Sequence, residues 1–255
     1  MRKRPSHTFA VFTAALTLAA AASHASVVWQ YEGAGVSSNE WRAARAGSSL
    51  MALHGAGNGW AFAEVKQVGK IKTVQFDQGV TAFAFQHDAT NRVAVAYAVV
   101  RCETAAEMAT LLDAPRNVCV RLKSAWNWES TWQWQKEQLG YRAAYRVNGS
   151  DTARFDPLPV FQLVEVRFET PPMMRELYVG NAAASPFWQR HWRGDIAELL
   201  FLTREPTEHE QHAIYNYIRL KWGIPLTYGK VDTVKILDAL GIRRGSLFST
   251  ILMVR

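Results

Sequence analysis

The sequence lacks a second long apolar run, blocks of like charge and metal-type cysteine motifs, and each absence excludes a class of protein. Beyond the first 25 residues, no uncharged stretch approaches the roughly 20 apolar residues of a transmembrane helix. Lysine and arginine are spread singly, so no basic stripe predicts nucleic-acid binding. The two cysteines form no CxxC motif, which argues against thiol redox chemistry or a zinc site.

The first 25 residues differ from the rest of the chain. Residues 2–4 are basic, Phe9 to Ala22 is apolar or small, and residues 23–25 place small side chains two apart. This order is typical of a secretory signal peptide cleaved after Ala25. A membrane anchor is the alternative, but the apolar run of about 14 residues is too short to span a bilayer. The sequence therefore predicts a secreted, periplasmic or cell-surface protein with no transmembrane segment after cleavage.

The net charge of the exported part is lower than that of the whole chain. The full sequence carries a formal charge of +7, and three of the positive charges but no acidic residue lie in residues 1–25. The mature chain is thus only weakly basic, which further weakens a nucleic-acid interpretation.

Both cysteines, Cys102 and Cys119, lie in the exported part. In an oxidising compartment an even pair is more often bridged than reduced. We therefore predict a structural disulfide, whose closure would contribute on the order of 3 kcal/mol. Two buried thiols in adjacent strands are the alternative.

From Ser26 onward, short apolar runs alternate with Gly, Asn, Asp and Pro breaks, as in an all-β sandwich. Val93 to Cys102 is apolar on both faces, which predicts a central strand. Asn148-Gly149 is a common turn pair. Other predicted strands are Thr73–Phe76, Thr81–Phe85, Val118–Leu122, Trp126–Trp134, Tyr141–Val147, Val160–Phe168, Glu176–Val179 and Asp195–Leu202.

One segment near the C-terminus has helical periodicity. Residues 205–210 combine proline and acidic side chains, which favour a first turn. Apolar residues recur at helical spacing up to Trp222, and Gly223 supplies a stop. We expect one amphipathic helix that covers part of the sandwich.

The tail, residues 229–255, is less clearly patterned. Thr233–Leu240 predicts a short helix that stops at Gly241, and Leu247–Val254 could be a strand. A docking tail and a partly disordered end are the alternatives.

Four sequence elements around and after residue 177 occur in order with consistent gaps. They are Leu177–Asn181, the predicted strand Gly194-Asp195-Ile196-Ala197-Glu198, the predicted helix start Thr207–Glu210 and the predicted helix end Tyr217–Gly223. They resemble the C-terminal half of bacterial laminin G-like, concanavalin A-like lectin/glucanase domains. A weaker match, Val74–Asp77 followed by Gly79, extends the resemblance upstream to about Val65.

The resemblance implies an antiparallel two-sheet jelly roll over residues 26–228, and it predicts fold better than function. Within the motif we expect Ile196, Leu199 and Phe201 to face the core. Glu198 is expected to pair near the helix that follows, and Gly194 to permit close packing.

Hydrolases of this family carry an E-x-D-x-x-E strand, and none occurs in this sequence. The nearest carboxylate pair is Glu165 and Glu169, for which a solvated strand face is the alternative. His209 and His212 are three apart, but no third metal ligand is placed near them. Gln86-His87 is similar to fragments of polysaccharide lyase strands, without the companion motifs. With no G-x-S-x-G elbow either, the sequence predicts a protein that is not an enzyme.

Tryptophan is the most distinctive feature, with ten residues in the chain. Trp126, Trp128, Trp132 and Trp134 lie on either side of Ser130-Thr131, which predicts a hairpin with an aromatic platform for a sugar or a protein. Packing in the core is the alternative. Arg121 and Arg142 could border the platform.

Two further features stay open. Calcium, which some related domains use, would need clustered oxygen ligands such as Asp77, Asp88 and Asn91, and no other cofactor is indicated. Asn148-Gly149-Ser150 fits a glycosylation sequon as well as a turn.

The leading hypothesis is an exported, non-catalytic recognition module for a glycan or a protein surface. The alternatives are a polysaccharide-active enzyme on the same fold and an envelope or extracellular structural protein.

Overall fold

A computed structural model describes most of the chain between residues 27 and 244. The described ranges are 27–36, 40–44, 50–52, 60–61, 64–68, 71–76, 80–81, 83–86, 92–102, 109–114, 118–123, 127–131, 143–155, 158–181 and 192–244. The predicted signal peptide and the possible strand at Leu247–Val254 lie outside these ranges.

The described residues form mostly antiparallel strands followed by two helices. The strands are β1 (Val27–Val36), β2 (Glu40–Ala43), β3 (Leu50–Ala52), β4 (Trp60–Ala61), β5 (Glu64–Val68), β6 (Ile71–Gln75), β7 (Val80–Thr81), β8 (Phe83–Gln86), β9 (Val95–Cys102), β10 (Thr110–Ala114), β11 (Val118–Lys123), β12 (Asn127–Thr131), β13 (Ala143–Val147), β14 (Ser150–Asp151), β15 (Leu158–Phe168), β16 (Glu176–Val179) and β17 (Asp195–Leu202). The helices are α1 (Glu208–Trp222) and α2 (Thr233–Leu240).

The strands form two layers that are joined through β1. The first layer has the order β1-β17-β9-β15-β13-β14, and the second has the order β12-β11-β10-β16-β8-β3-β2. The first half of β1 pairs with β17 from Val27 to Glu32, and Val36 near its other end pairs with Trp41 of β2. The β5–β6 hairpin joins the first layer at Asp195 and Ile196, and β4 and β7 form a small parallel pair.

Side chains of β9 and β17, in the middle of the first layer, are buried on both faces. In β9, Ala96, Ala98 and Val100 belong to the core between the layers, which also contains residues of β10, β11 and β16. The alternate residues, Tyr97 and Val99 among them, belong to a second core shared with both helices. A strand that faces an apolar layer on each side needs a continuous apolar sequence, so the predicted central strand is confirmed.

Helix α1 begins with a capping box. Its N-cap residue is Thr207, whose hydroxyl accepts from the Glu210 backbone N–H, and the Glu210 carboxylate accepts from the Thr207 backbone N–H. Gly223 ends the helix in the left-handed conformation, and its N–H donates to the Arg219 carbonyl. The predicted amphipathic helix is confirmed, with Pro206 lying just before the cap rather than in the first turn.

These observations confirm the predicted all-β, antiparallel sandwich with a helix near the C-terminus. Ile196, Leu199 and Phe201 lie in the core between the layers, as expected. Asn148 and Gly149 have φ values of 51° and 79° and form the turn between β13 and β14.

Helix α2 confirms the short helix predicted in the tail. It ends at Gly241 in the left-handed conformation, and its residues Leu237 and Leu240 share the second core with α1. The expected domain border at residue 228 stays a prediction. Within the described ranges, no helix is long and apolar enough to cross a membrane.

Gly194 and Gly223 allow a direct test of the close packing at the start of β17. Both have positive φ, 152° and 72°. A Cβ at Gly194 would overlap the backbone carbonyl of Arg101, whereas a Cβ at Gly223 meets no atom within 4 Å. We expect Gly223→Ala to lower the free energy of unfolding by about 1 kcal/mol. Gly194→Ala should lower it by about 3 kcal/mol or more, because the strand backbone must also move.

Urea denaturation of the two variants measures this difference. Equal losses for Gly194→Ala and Gly223→Ala would contradict the close approach of β17 to β9.

Candidate functional site

The predicted tryptophan hairpin is wrong in its turn. Ser130 and Thr131 are the last two residues of the strand β12 and are paired with Val120 and Cys119 of β11, so they do not form the predicted turn. The strand pairs with β11, and the backbone of Trp128 is opposite that of Leu122, a residue of the core between the layers. Arg121 lies on β11 opposite Glu129 and is partly exposed. Trp126, Trp132, Trp134 and Arg142 lie outside the described residues.

The predicted disulfide between Cys102 and Cys119 is also wrong. Both residues are buried thiols. Cys102 ends β9 in the first layer, belongs to the core between the layers and donates from Sγ to the Arg193 carbonyl at 2.8 Å. Cys119 lies on β11 directly opposite Asp113, in the row that points away from that core. The second layer therefore separates the two sulfur atoms.

The proposed carboxylate pair, Glu165 and Glu169, does not face a common cleft. Glu169 is exposed at a bend after β15, while Glu165 is fully buried beneath α1. The Glu165 carboxylate accepts hydrogen bonds from Tyr215 Oη at 2.7 Å and Gln211 Nε2 at 2.9 Å, and it pairs with Arg167. Its surroundings indicate a structural role.

The remaining candidates from the sequence are two histidines, the Gln86-His87 pair and the possible calcium ligands. His209 is exposed and His212 is partly buried against Gly229, both on α1. Gln86 ends β8 opposite Glu176. His87 and the calcium candidates Asp77, Asp88 and Asn91 lie outside the described residues. No group of three or more His, Cys, Asp or Glu side chains in the described ranges could hold a metal ion.

A row of polar side chains lies on the outward face of the second layer, the face that points away from the core. Leu112 is directly opposite Val120 in β11 and Val179 in β16, and all three residues belong to the core. The next position, Asp113, is directly opposite Cys119 and Tyr178. Because directly opposed residues share a face and adjacent residues alternate, these side chains form the outward row. We call Asp113, Glu176 and Tyr178 the outward site.

The three residues of the outward site are close enough to interact electrostatically. Glu176 is two residues before Tyr178 and so shares its face. Burial, followed by the negative charges of Glu176 and Asp113, raises the pKa of the Tyr178 hydroxyl. Asp113 is almost fully buried, at 4% exposure, whereas Glu176 and Tyr178 are partly exposed. The site therefore combines a partly exposed tyrosine and a partly exposed glutamate with a buried aspartate.

A different carboxylate, Glu198, lies on the opposite side of the sandwich, between β17 and α1. Its Oε1 accepts from Gln30 Nε2 at 2.8 Å and Tyr217 Oη at 2.7 Å. Its Oε2 accepts from Lys221 Nζ at 3.0 Å and Trp222 Nε1 at 2.6 Å. The expectation that Glu198 pairs near the helix is confirmed, and three of its four partners are in the motif that suggested the resemblance.

Sequence reasoning missed the outward site and Gln30. Asp113 and Tyr178 stand alone in short strands, and only the pairing of β10 with β16 brings them together. A partial signal existed, because Asp113 follows two leucines and is an acidic residue in an otherwise apolar run. Gln30 gave no signal, since an amide in a strand is common on solvated faces.

Comparison with known proteins adds no assignment, since neither a protein-family model nor a curated protein matches this chain.

The contrast between Glu165 and Glu169 generates a stability test. Glu165→Gln exchanges an acceptor for a donor beside Tyr215 and Gln211 and leaves Arg167 without its buried partner. We expect a loss of about 2 kcal/mol or more in the free energy of unfolding. The matched change Glu169→Gln removes an exposed charge and should stay within about 0.5 kcal/mol.

Chemical denaturation at neutral pH measures both variants. If Glu165→Gln is as stable as Glu169→Gln, the buried network beneath α1 does not exist as described.

Proposed function

We propose that this chain is an exported, non-catalytic recognition module that binds a neutral glycan at the outward site. The observation that carries the proposal is the outward site itself, a partly exposed tyrosine flanked by two carboxylates on the face of the second layer that points away from the core. Both described helices pack on the first layer, on the other side of the sandwich.

The chemistry of these groups suits sugar hydroxyls. A carboxylate accepts strong hydrogen bonds from hydroxyl donors, and a tyrosine ring offers an apolar surface with a polar tip. Binding sites for small ligands typically combine such a surface with a few placed polar groups. The partly exposed carboxylate of Glu176 beside the Tyr178 ring disfavours uronate or sulfate groups, so the proposed ligand class is neutral.

Three of the described strand carboxylates, Glu165, Asp195 and Glu198, support a non-catalytic role. Glycoside hydrolysis needs two carboxyl groups that face each other across the substrate. Glu165 and Glu198 are each buried beneath α1 and satisfied by several donors. Asp195 accepts from Thr73 Oγ1 at 2.8 Å and from Arg101 Nη2 at 2.6 Å. These three carboxylates serve the fold.

The export step of the proposal depends on the basic and apolar leader at residues 1–25. The resemblance to laminin G-like domains supports the recognition role only by analogy of fold.

A glycan array followed by titration calorimetry tests the proposal. We expect binding to neutral polysaccharides and weaker binding to uronate-containing ones. Tyr178→Ala should weaken binding about tenfold or more, since one aromatic contact of roughly 1.4 kcal/mol corresponds to that factor. The control is Tyr228→Ala, which removes a partly exposed tyrosine that contacts Arg219 on the α1 side and should leave binding unchanged.

Equal effects of Tyr178→Ala and Tyr228→Ala would remove the outward site from the proposal, and binding to no glycan would overturn it. Release of oligosaccharides during incubation would identify a polysaccharide-active enzyme instead.

A further inference from the structure

The outward row that contains Tyr178 is covered on the side of β10. Asp113 on β10 is directly opposite Tyr178, and Cys119 on β11 is the next position in the same row. Both positions point away from the core between the layers, yet Asp113 is 4% exposed and Cys119 is 1% exposed. The other residues of β10 are buried as well. Since an open sheet face is in contact with water, the outward face is not open over β10.

The outward face is also closed at the C-terminal end of β16. The residues that follow Tyr178 are buried up to Asn181, which is fully buried. Gly180 is held at both backbone groups, because its N–H donates to the Leu111 carbonyl at 2.9 Å and its carbonyl accepts from the Trp192 N–H at 2.7 Å. The chain directly beyond Tyr178 is therefore fixed inside the protein.

The other end of β16 reaches the surface. Glu176, two residues before Tyr178 and on the same face, is partly exposed, and Arg175 just before the strand is exposed. Tyr178 is therefore the innermost partly exposed residue of the outward site, and a ligand can approach it past Glu176.

A straight chain that passes over Tyr178 needs openings in two opposite directions. Any line that crosses the strands at Tyr178 leads on one side over β10, which is buried along its length. The remaining line runs along β16, and it is closed at Asn181. A straight chain can thus reach Tyr178 with one end, but its interior cannot lie on this residue.

We infer that the outward site binds the end of a linear neutral glycan, with the terminal sugar on Tyr178 and the following sugars leading out past Glu176. This inference rests on the proposed function and adds which part of the glycan is bound. A terminal sugar carries a free hydroxyl group where an internal sugar carries the bond to its next neighbour. The closed side of the site has no path for that neighbour, whereas a free hydroxyl needs none.

Titration calorimetry of the full chain tests the inference with two probes. They are the neutral hexasaccharide with the highest signal on the glycan array and a long linear polysaccharide of the same repeat. We expect one protein molecule per chain for both. At equal sugar concentration, a polymer about a hundred times longer than the hexasaccharide has about a hundredfold fewer ends, so its Kd per sugar unit should be about a hundredfold higher. As a control, hydrolysis of the polymer to hexasaccharides should restore tight binding at the same sugar concentration.

Each other outcome overturns the inference. Equal Kd values per sugar unit, or several protein molecules on one polymer chain, would show binding to the interior of the glycan and would leave the proposed function intact. Weak binding of the polymer that hydrolysis does not restore would assign the difference to something other than chain ends. A preference for ends that persists at full strength in Tyr178→Ala would locate the end-binding site elsewhere. Binding to no neutral glycan on the array would overturn the proposed function together with this inference.

Discussion

The buried carboxylate of Glu198 is the polar group on which the arrangement of sheet and helices depends. An ionised group removed from water must be satisfied by hydrogen bonds or an opposite charge. Glu198 meets this requirement only when β1 and α1 are both in place, because its donors come from Gln30, Tyr217, Lys221 and Trp222. Apolar contacts bring α1 to the sheet without a preferred register, and directional hydrogen bonds fix that register.

The two layers differ in what their outer faces contact. The central strands of the first layer, β9 and β17, are buried on both faces, and the helices cover one of these faces. The second layer contributes an apolar face to the core and a polar face that points away from it. The proposed binding site lies on this second face, on the side of the sandwich opposite to the helices.

Much of the fold could be predicted because its signals are local. The continuous apolar run of β9, the caps of α1 and the Asn148-Gly149 turn each depend on neighbouring residues. The candidate sites depend on which distant strands pair and in what register. A single sequence carries no direct information on either. Cys102 and Cys119 suggested a bridge, but register places their side chains on opposite sides of the second layer.

Glu165 and the tryptophan strand illustrate the same limit. The spacing of Glu165 and Glu169 fits one strand face, yet burial of Glu165 is decided by Tyr215, fifty positions away on α1. Ser130-Thr131 is a polar pair that suggests a turn, but β-branched threonine also fits a strand, and pairing with β11 selects the strand.

The most direct test of the central role of Glu198 is a double-mutant cycle with Glu198→Ala and Trp222→Phe, measured by urea denaturation. A hydrogen bond to a buried charged group predicts a coupling free energy of about 1.5 kcal/mol or more between the two positions. A coupling within about 0.3 kcal/mol of zero would contradict the account, because Glu198 would then not hold α1 on the sheet through Trp222.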